Sequence, residues 1–120
     1  MSALMSGVEL PAEPIDELAY EPYTVSGRVA GEVHWLRTVD PRIRAGIWRI
    51  DPCAAAEPVA FTGHETFQVF EGCADVVVDD RLAMSVGPGD VGSVEEGVVA
   101  HWWVSAPFMK FFVLGGGRGR

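Results

Sequence analysis

One carboxylate, Glu65, stands out as a group that could carry chemistry, because it lies in a run of residues typical of a β-strand. Side chains alternate between the two faces of a strand, so Glu65 shares one face with Phe67 and Val69. A carboxylate among apolar groups loses hydration, which suits it to exchange a proton near neutral pH. Glu65 is therefore a candidate general acid or base. The alternative is that it only hydrogen-bonds a neighbouring group.

Histidine is the side chain that would bind a transition metal, and the chain has three, His34, His64 and His101. A stable zinc, iron or manganese site needs three or four ligands that converge on one point. His64 directly precedes Glu65, so strand alternation turns it to the opposite face. The residues therefore predict no tight metal site, and the alternative is a weak, non-standard site that uses His64, Glu65 or His101.

Other reaction classes lack their motifs. The sequence contains no GxSxG, Walker or GxGxxG pattern, so serine-type hydrolysis and nucleotide phosphate binding have no support. Cys53 and Cys73 form no CxxC pair, and two cysteines are too few for a disulfide framework. We expect both to be buried or half-buried free thiols.

Short runs of β-branched and aromatic residues, interrupted by Gly, Pro or Asp about every eight to twelve residues, predict an all-β fold. The predicted strands cover residues 31–38, 45–50, 66–71, 74–78, 83–86, 91–94, 99–104 and 109–114. Hairpin turns are expected at Asp79-Asp80 and at Gly87-Pro88-Gly89-Asp90, because these residue types favour turn geometries. This many short strands in 120 residues suggest a jelly roll or small barrel.

The strands define a single domain over residues 25–114. Residues 1–24 contain three prolines and five acidic residues, a composition typical of an extended arm. Residues 115–120 consist of glycine and two arginines, so we expect a flexible tail there.

Two segments resemble the two sequence motifs of the cupin superfamily. Glu65 followed by Gly72 matches the second half of the first motif, and Pro88-Gly89-Asp90 followed by Gly97 matches the opening and middle of the second. Further residues make the chain similar to the EutQ-like and (S)-ureidoglycine-aminohydrolase-like single-domain cupins, namely Trp35, Asp40, Gly46-Ile47-Trp48 and Pro52 upstream, with Pro107 and the closing strand of residues 110–114. The resemblance implies an RmlC-like jelly-roll β-barrel in which both motifs line the interior around the usual metal site.

The chain departs from the cupin pattern at the metal ligands. The histidine pair that the superfamily places ahead of the glutamate is absent, since residues 57–61 are Glu-Pro-Val-Ala-Phe. The histidine of the second motif falls on Ala100, and the asparagine after it falls on Val104. Only Glu65 remains at a ligand position, so we expect neither a metal nor another cofactor.

The resemblance also implies that the strand faces carrying Glu65 and Trp102 look into the barrel. We expect a small-molecule site there, because ligand sites are mostly apolar with few polar anchors. Its predicted lining is Trp48, Phe67, Trp102 and Ala100. The alternative is that these side chains are plain core. Four arginines near Asp40 are either a clamp for an anionic substrate or solvated strand ends, namely Arg37, Arg42, Arg44 and Arg49.

Charge and composition exclude some partners. Nine Lys and Arg against seventeen Asp and Glu give a net charge of −8, which repels nucleic acid and anionic membranes. The first residues lack the pattern of a signal peptide, and no apolar run is long enough to span a membrane, so we expect a cytoplasmic protein. Phe70 and Trp103 should face outward and need cover, which together with the resemblance predicts a homodimer that uses these residues and the arm.

These observations favour a small-molecule-binding cupin that works without a metal and uses Glu65 for acid–base chemistry of the isomerase, lyase or cyclase type. Two alternatives stay open. One is a non-catalytic ligand-binding or assembly cupin. The other is a metal-dependent enzyme similar to the ureidoglycine aminohydrolases, which the missing histidines disfavour.

Overall fold

A computed structural model describes residues 13–25, 27–36, 40, 42–50, 59–61 and 64–115, with the backbone alone for residues 59–61 and 106. In this part of the chain a 3₁₀ turn at Ile15–Glu17 precedes eight strands. The strands are β1 (Glu21–Val25), β2 (Arg28–Leu36), β3 (Arg44–Ile50), β4 (Val59–Phe61), β5 (His64–Val78), β6 (Arg81–Val86), β7 (Val91–Val94) and β8 (Ala100–Gly115). None of the helices among the described residues has the length and apolar character needed to cross a membrane.

The two longest strands, β5 and β8, organise the fold. The strand order is β1-β2-β3-β8-β5-β6, with β4 beside β8 and β7 beside β5, and every pairing is antiparallel. The first part of β5 lies between β8 and β7, and its second part lies between β8 and β6. Similarly, β8 pairs with β4 near its start and with β3 near its end. The β5–β8 pair therefore joins strands β1 to β4 on the β8 side to strands β6 and β7 on the β5 side.

A double irregularity bends β5 at the glycine of the first motif. The register between β5 and β8 shifts between Val69 and Glu71 and again between Glu71 and Cys73. Gly72 has a φ of +82°, and a Cβ at this position would collide with the carbonyl oxygen of Pro107. Only glycine satisfies both conditions, and bulges of this kind bend a strand from one layer into the next.

Residues 87–90 of the second motif form a turn that is hydrogen-bonded to β5. The Gly87 amide donates a 2.8 Å hydrogen bond to the Asp90 carboxylate, and the Asp90 amide donates back to the Gly87 carbonyl at 3.0 Å. The Gly89 amide donates to the Val69 carbonyl at 2.7 Å. The predicted turn is therefore present, and it is hydrogen-bonded to the strand that carries Glu65.

The all-β jelly-roll prediction is confirmed, with corrections to the strands. The runs 66–71 and 74–78 belong to one strand, as do 99–104 and 109–114, because irregularities in register bend each strand at the predicted break without ending it. The hairpin at Asp79-Asp80 is confirmed, with both residues at positive φ. Strand β4 was not predicted, and neither was β1, which lies across the predicted boundary between arm and domain. Residues 1–12 of the arm and 116–120 of the tail lie outside the described residues.

Candidate functional site

Glu65 faces the interior of the barrel. Burial alternates along the start of β5, where Glu65, Phe67 and Val69 are 2%, 1% and 0% exposed. His64, the preceding residue, is exposed. The predicted orientation of this strand is therefore observed, and the functional role assigned to Glu65 stays a prediction.

The Glu65 carboxylate is not the lone charge that the sequence analysis expected. Lys110 of β8 donates a 2.6 Å hydrogen bond from Nζ to Glu65 Oε2, and the Lys110 side chain is 0% exposed. Among the described residues these two are the only buried charged side chains. An unpaired charge in an apolar interior is strongly unfavourable, so the buried acid requires a partner of this kind. Lys110 is also the only lysine in the sequence.

Aromatic rings surround the Lys110 ammonium. Its Nζ lies 3.6 Å from the centroid of a Trp102 ring, and 5.6 Å from ring centroids of both Trp48 and Phe67. A cation over the face of an indole is attracted by the negative side of the ring. Burial lowers the pKa of Lys110 to about 8, while the charge and hydrogen bond of Glu65 act in the opposite direction. The ammonium is therefore held between one carboxylate and an aromatic face.

The two oxygens of the Glu65 carboxylate differ in their hydrogen bonds, since Lys110 donates to Oε2 alone. Among the described residues, Oε1 is buried without a hydrogen-bond partner. Tyr23 of β1 packs against the core nearby, and its pKa is raised by burial and then by the Glu65 charge. The site therefore keeps one open acceptor in an apolar space.

The four predicted lining residues all reach this interior. Trp48, Trp102 and Ala100 are 0% exposed and Phe67 is 1% exposed. The rings of Phe67 and Trp102 meet edge to face, with centroids 4.9 Å apart. The assignment of all four to substrate binding stays a prediction, and the three aromatic rings lie around Lys110.

Sequence reasoning missed Lys110 and Phe108. Phe108 contacts two of the predicted lining residues, with ring centroids 5.8 Å from Trp48 and 6.0 Å from Trp102. The signal was present in the sequence: the only lysine lies between Phe108 and Phe112 at a spacing of two, which places all three on one face of the strand.

The described residues do not fit the metal ion that cupins usually hold. The carboxylate at the retained ligand position faces the Lys110 ammonium. His64 and His101 are exposed, and His34 Nδ1 lies 2.7 Å from the Ala19 carbonyl oxygen. Nowhere in the described ranges do three His, Cys, Asp or Glu side chains cluster closely enough to hold a metal. Cys53 and residues 57 and 58 lie outside these ranges. Cys73 is a free thiol, and the prediction that it is buried or half-buried was wrong, because its side chain is on the exposed face of β5.

Each described arginine near the β2–β3 turn is held by a different local group. The contacts are Arg42 with Asp40 at 2.9 Å, Arg49 with Glu32 at 2.9 Å, and Arg44 at 3.9 Å from the centroid of a Trp35 ring. Arg44 and Arg49 lie near opposite ends of β3. These three side chains therefore do not form one anion clamp, and Arg37 lies outside the described residues.

A cleft of about 570 Å³ opens beside the core. It is lined by Asp16, Val29, Gly31, Glu32, Arg49, Ile50, Glu71, Pro107, Phe108 and Met109. None of the five predicted site residues lines this cleft, but Phe108 and Ile50 belong to both its wall and the core. Phe108 therefore stands between the cleft and the rings around Lys110.

A jelly roll of antiparallel strands, with Glu65 turned inward and the Pro-Gly-Asp turn hydrogen-bonded to the same strand, defines the cupin class. Comparison with models of protein families narrows the cupin class to one family. The model of the EutQ-like cupin domain matches residues 39–112, so the chain belongs to this family.

Solved structures agree on the fold. EutQ from Clostridium difficile superposes with a TM-score of 0.59 at 19% identity, covering 71% of this chain. An RmlC-like cupin from Shewanella frigidimarina gives 0.65 at 16% identity, with 89% of this chain and 91% of that chain covered. A putative ethanolamine utilization protein from Salmonella typhimurium gives 0.61 at 16% identity, with 83% and 96% covered.

The chain spans 61% of the length of the Clostridium difficile EutQ chain. A search of curated proteins finds no match. The family model establishes the family, and the solved structures establish the fold.

Proposed function

We propose that this cupin binds a small organic metabolite inside the barrel without a metal, and that Glu65 acts there as a general acid or base. The observation that supports this most strongly is the asymmetry of the Glu65 carboxylate. Lys110 fixes Oε2 at 2.6 Å, whereas the buried Oε1 has no hydrogen-bond partner among the described residues. An oriented carboxylate with one open oxygen is suited to take a proton from a bound molecule.

A single proton-transfer group limits the reaction classes. Oε1 would accept a proton from a carbon or hydroxyl of the metabolite, and the same proton would return to another atom of that molecule. Lys110 keeps the carboxyl group oriented, because its ammonium donates a hydrogen bond to Oε2 and leaves Oε1 to exchange the proton. Isomerisation, elimination and cyclisation fit this scheme, since none of them needs an added oxidant or reductant.

A metabolite reaches the pair only when side chains move, because Glu65 and Lys110 are 2% and 0% exposed. Phe108 is the natural point of entry. It lines the 570 Å³ cleft and also contacts Trp102, whose ring lies against the ammonium. Rotation of Phe108 would join the cleft to the interior, in the manner of side chains that gate enclosed sites.

The test is a screen of small metabolites by thermal shift, followed by detection of product by NMR. Glu65→Gln keeps the shape of the side chain and removes its basicity. We expect this variant to lose at least about 100-fold in turnover of a found substrate. Glu95→Gln, at an exposed position outside the strands, is the matched control. A folded Glu65→Gln protein with full turnover would disprove the catalytic role.

The second candidate is a non-catalytic ligand-binding or assembly cupin. It is favoured by the complete enclosure of the Glu65–Lys110 pair, which is also what a purely structural ion pair requires. Ligands that bind tightly in the screen and are recovered unchanged would support it.

Assembly is proposed to occur through a homodimer that covers the exposed aromatic residues Phe70 and Trp103. They are 41% and 51% exposed, and large apolar side chains at the surface often mark interfaces. Sedimentation of the protein against a Trp103→Ser variant tests this, and a wild-type protein that sediments as a monomer at all concentrations would contradict it.

A further inference from the structure

The interior of the barrel contains a cation that belongs to the chain itself. Glu65 and Lys110 are the only buried charged side chains among the described residues, and they carry opposite charges. By the family pattern Glu65 is the one residue left at a metal-ligand position, and its Oε2 is bonded to an ammonium. The positive charge beside this carboxylate is therefore already supplied.

The rings around the ammonium complete its environment. Glu65 contacts Nζ from one side, and the Trp102 ring centroid lies 3.6 Å away. Trp48 and Phe67 place two further ring centroids at 5.6 Å. Aromatic faces attract a cation without donating a lone pair to it, so this set suits an ammonium and provides no nitrogen or sulfur ligand for a transition metal.

We propose that Lys110 is the resident cation of this barrel: its ammonium takes the place beside Glu65 that a metal ion occupies in cupins with the full ligand set, and it keeps a divalent ion out. The loss of the histidine ligands and the presence of Lys110 are then linked, because the lysine supplies the positive charge that a metal ion would supply. Ala100, at the position of the missing histidine, is 0% exposed and carries no group that could bind a metal.

The charge of Lys110 can be measured directly, because the chain has no other lysine. Selective ¹⁵N labelling of lysine gives one side-chain NMR signal. At pH 6.5 we expect a protonated Nζ whose hydrogens exchange slowly with water, and a changed signal in Glu65→Gln. A neutral amine, or the rapid exchange typical of an exposed lysine, would overturn the proposal. This measurement uses the wild-type protein and does not depend on whether a variant folds.

The exclusion of metal by Lys110 can also be tested by partly rebuilding the metal site. Ala100→His restores one histidine of the family pattern, and adding Lys110→Met removes the charge while it keeps an unbranched side chain of similar length. We expect Co²⁺, followed by absorption and calorimetry, to bind the double variant at least tenfold more tightly than Ala100→His alone. Adding Glu65→Gln to the double variant should abolish the difference. Equal affinities of the single and double variants would contradict the exclusion of metal by Lys110.

Neither experiment measures turnover, so the proposal about the cation and the proposed acid–base function can fail separately.

Discussion

Lys110 and Glu65 meet at 2.6 Å although their positions on the paired strands are offset by four residues. Glu65 of β5 pairs with Leu114 of β8, whereas Lys110 pairs with Val69. The two side chains therefore approach each other along the interior and not directly across the strand pair. Their contact links the first motif of β5 to the closing strand from inside the barrel.

Removing one partner of this pair should cost more than removing both. Glu65→Gln leaves a buried ammonium, and Lys110→Met leaves a buried carboxylate, so we expect each to lower the free energy of unfolding by about 3 kcal/mol. The double variant has neither charge and should lose less stability than either single variant. Urea unfolding followed by circular dichroism measures all three. Additive losses would show that the two charges are not coupled.

The stability of the protein should rise with pH above neutrality. The pKa of Lys110 is about 8 in the fold, against its ordinary value of 10.5, so the unfolded chain holds more protons between these values. The free energy of unfolding then increases with pH, by about 2 kcal/mol from pH 7 to pH 9.5.

The Lys110→Met variant is the control for this dependence, and it should lack the rise. The pKa values of Tyr20 and Tyr23 are raised, so these phenols oppose the trend only near and above their ordinary value of 10.0. A wild-type profile that is flat or falling from pH 7 to pH 9.5 would contradict the prediction.

A small cation should restore what Lys110→Ala removes. That substitution deletes three methylene groups and the ammonium, which together have the shape of propylammonium. We expect propylammonium to raise the melting temperature of Lys110→Ala by several degrees, because it restores both the packing and the charge beside Glu65. Propanol tests packing alone. Equal rescue by the alcohol, or rescue that persists when Glu65→Gln is added, would show that the charge is irrelevant.

Opening the wall at Phe108 should expose the buried amine. Phe108→Ala joins the cleft to the core and is expected to cost about 3 kcal/mol of stability. Reductive methylation of Lys110 under folding conditions should then proceed at least about tenfold faster than in the wild type. Phe111→Ala, a half-buried residue of the same strand, controls for destabilisation alone. Equal acceleration by both variants would contradict a gating position for Phe108.

The inward orientation of site residues could be predicted from the sequence, because side chains alternate between the two faces of a strand. Glu65, Phe67 and Trp102 face inward because strand periodicity and the two motifs fix their faces. The same periodicity also places Lys110 on the face of Phe108 and Phe112, and the presence of a single lysine in an apolar strand is a visible signal.

The contact itself could not be derived from the sequence. Which residue of β8 reaches Glu65 depends on the register of β5 against β8, and that register changes twice around Gly72. Propensity does not encode such shifts, since they follow from the close approach of Gly72 to Pro107. For the same reason two bent strands were predicted as four. Strand β1 was missed because Pro22 and Glu21 favour an extended arm over a sheet.

Enclosure of the only lysine also determines which reactive groups the surface of the molecule presents. Arginine is left as the permanent carrier of positive charge on the surface. Enzymes that acetylate lysine or attach ubiquitin to it find no side-chain target on the folded protein, and acquire one at Lys110 only when the barrel comes apart.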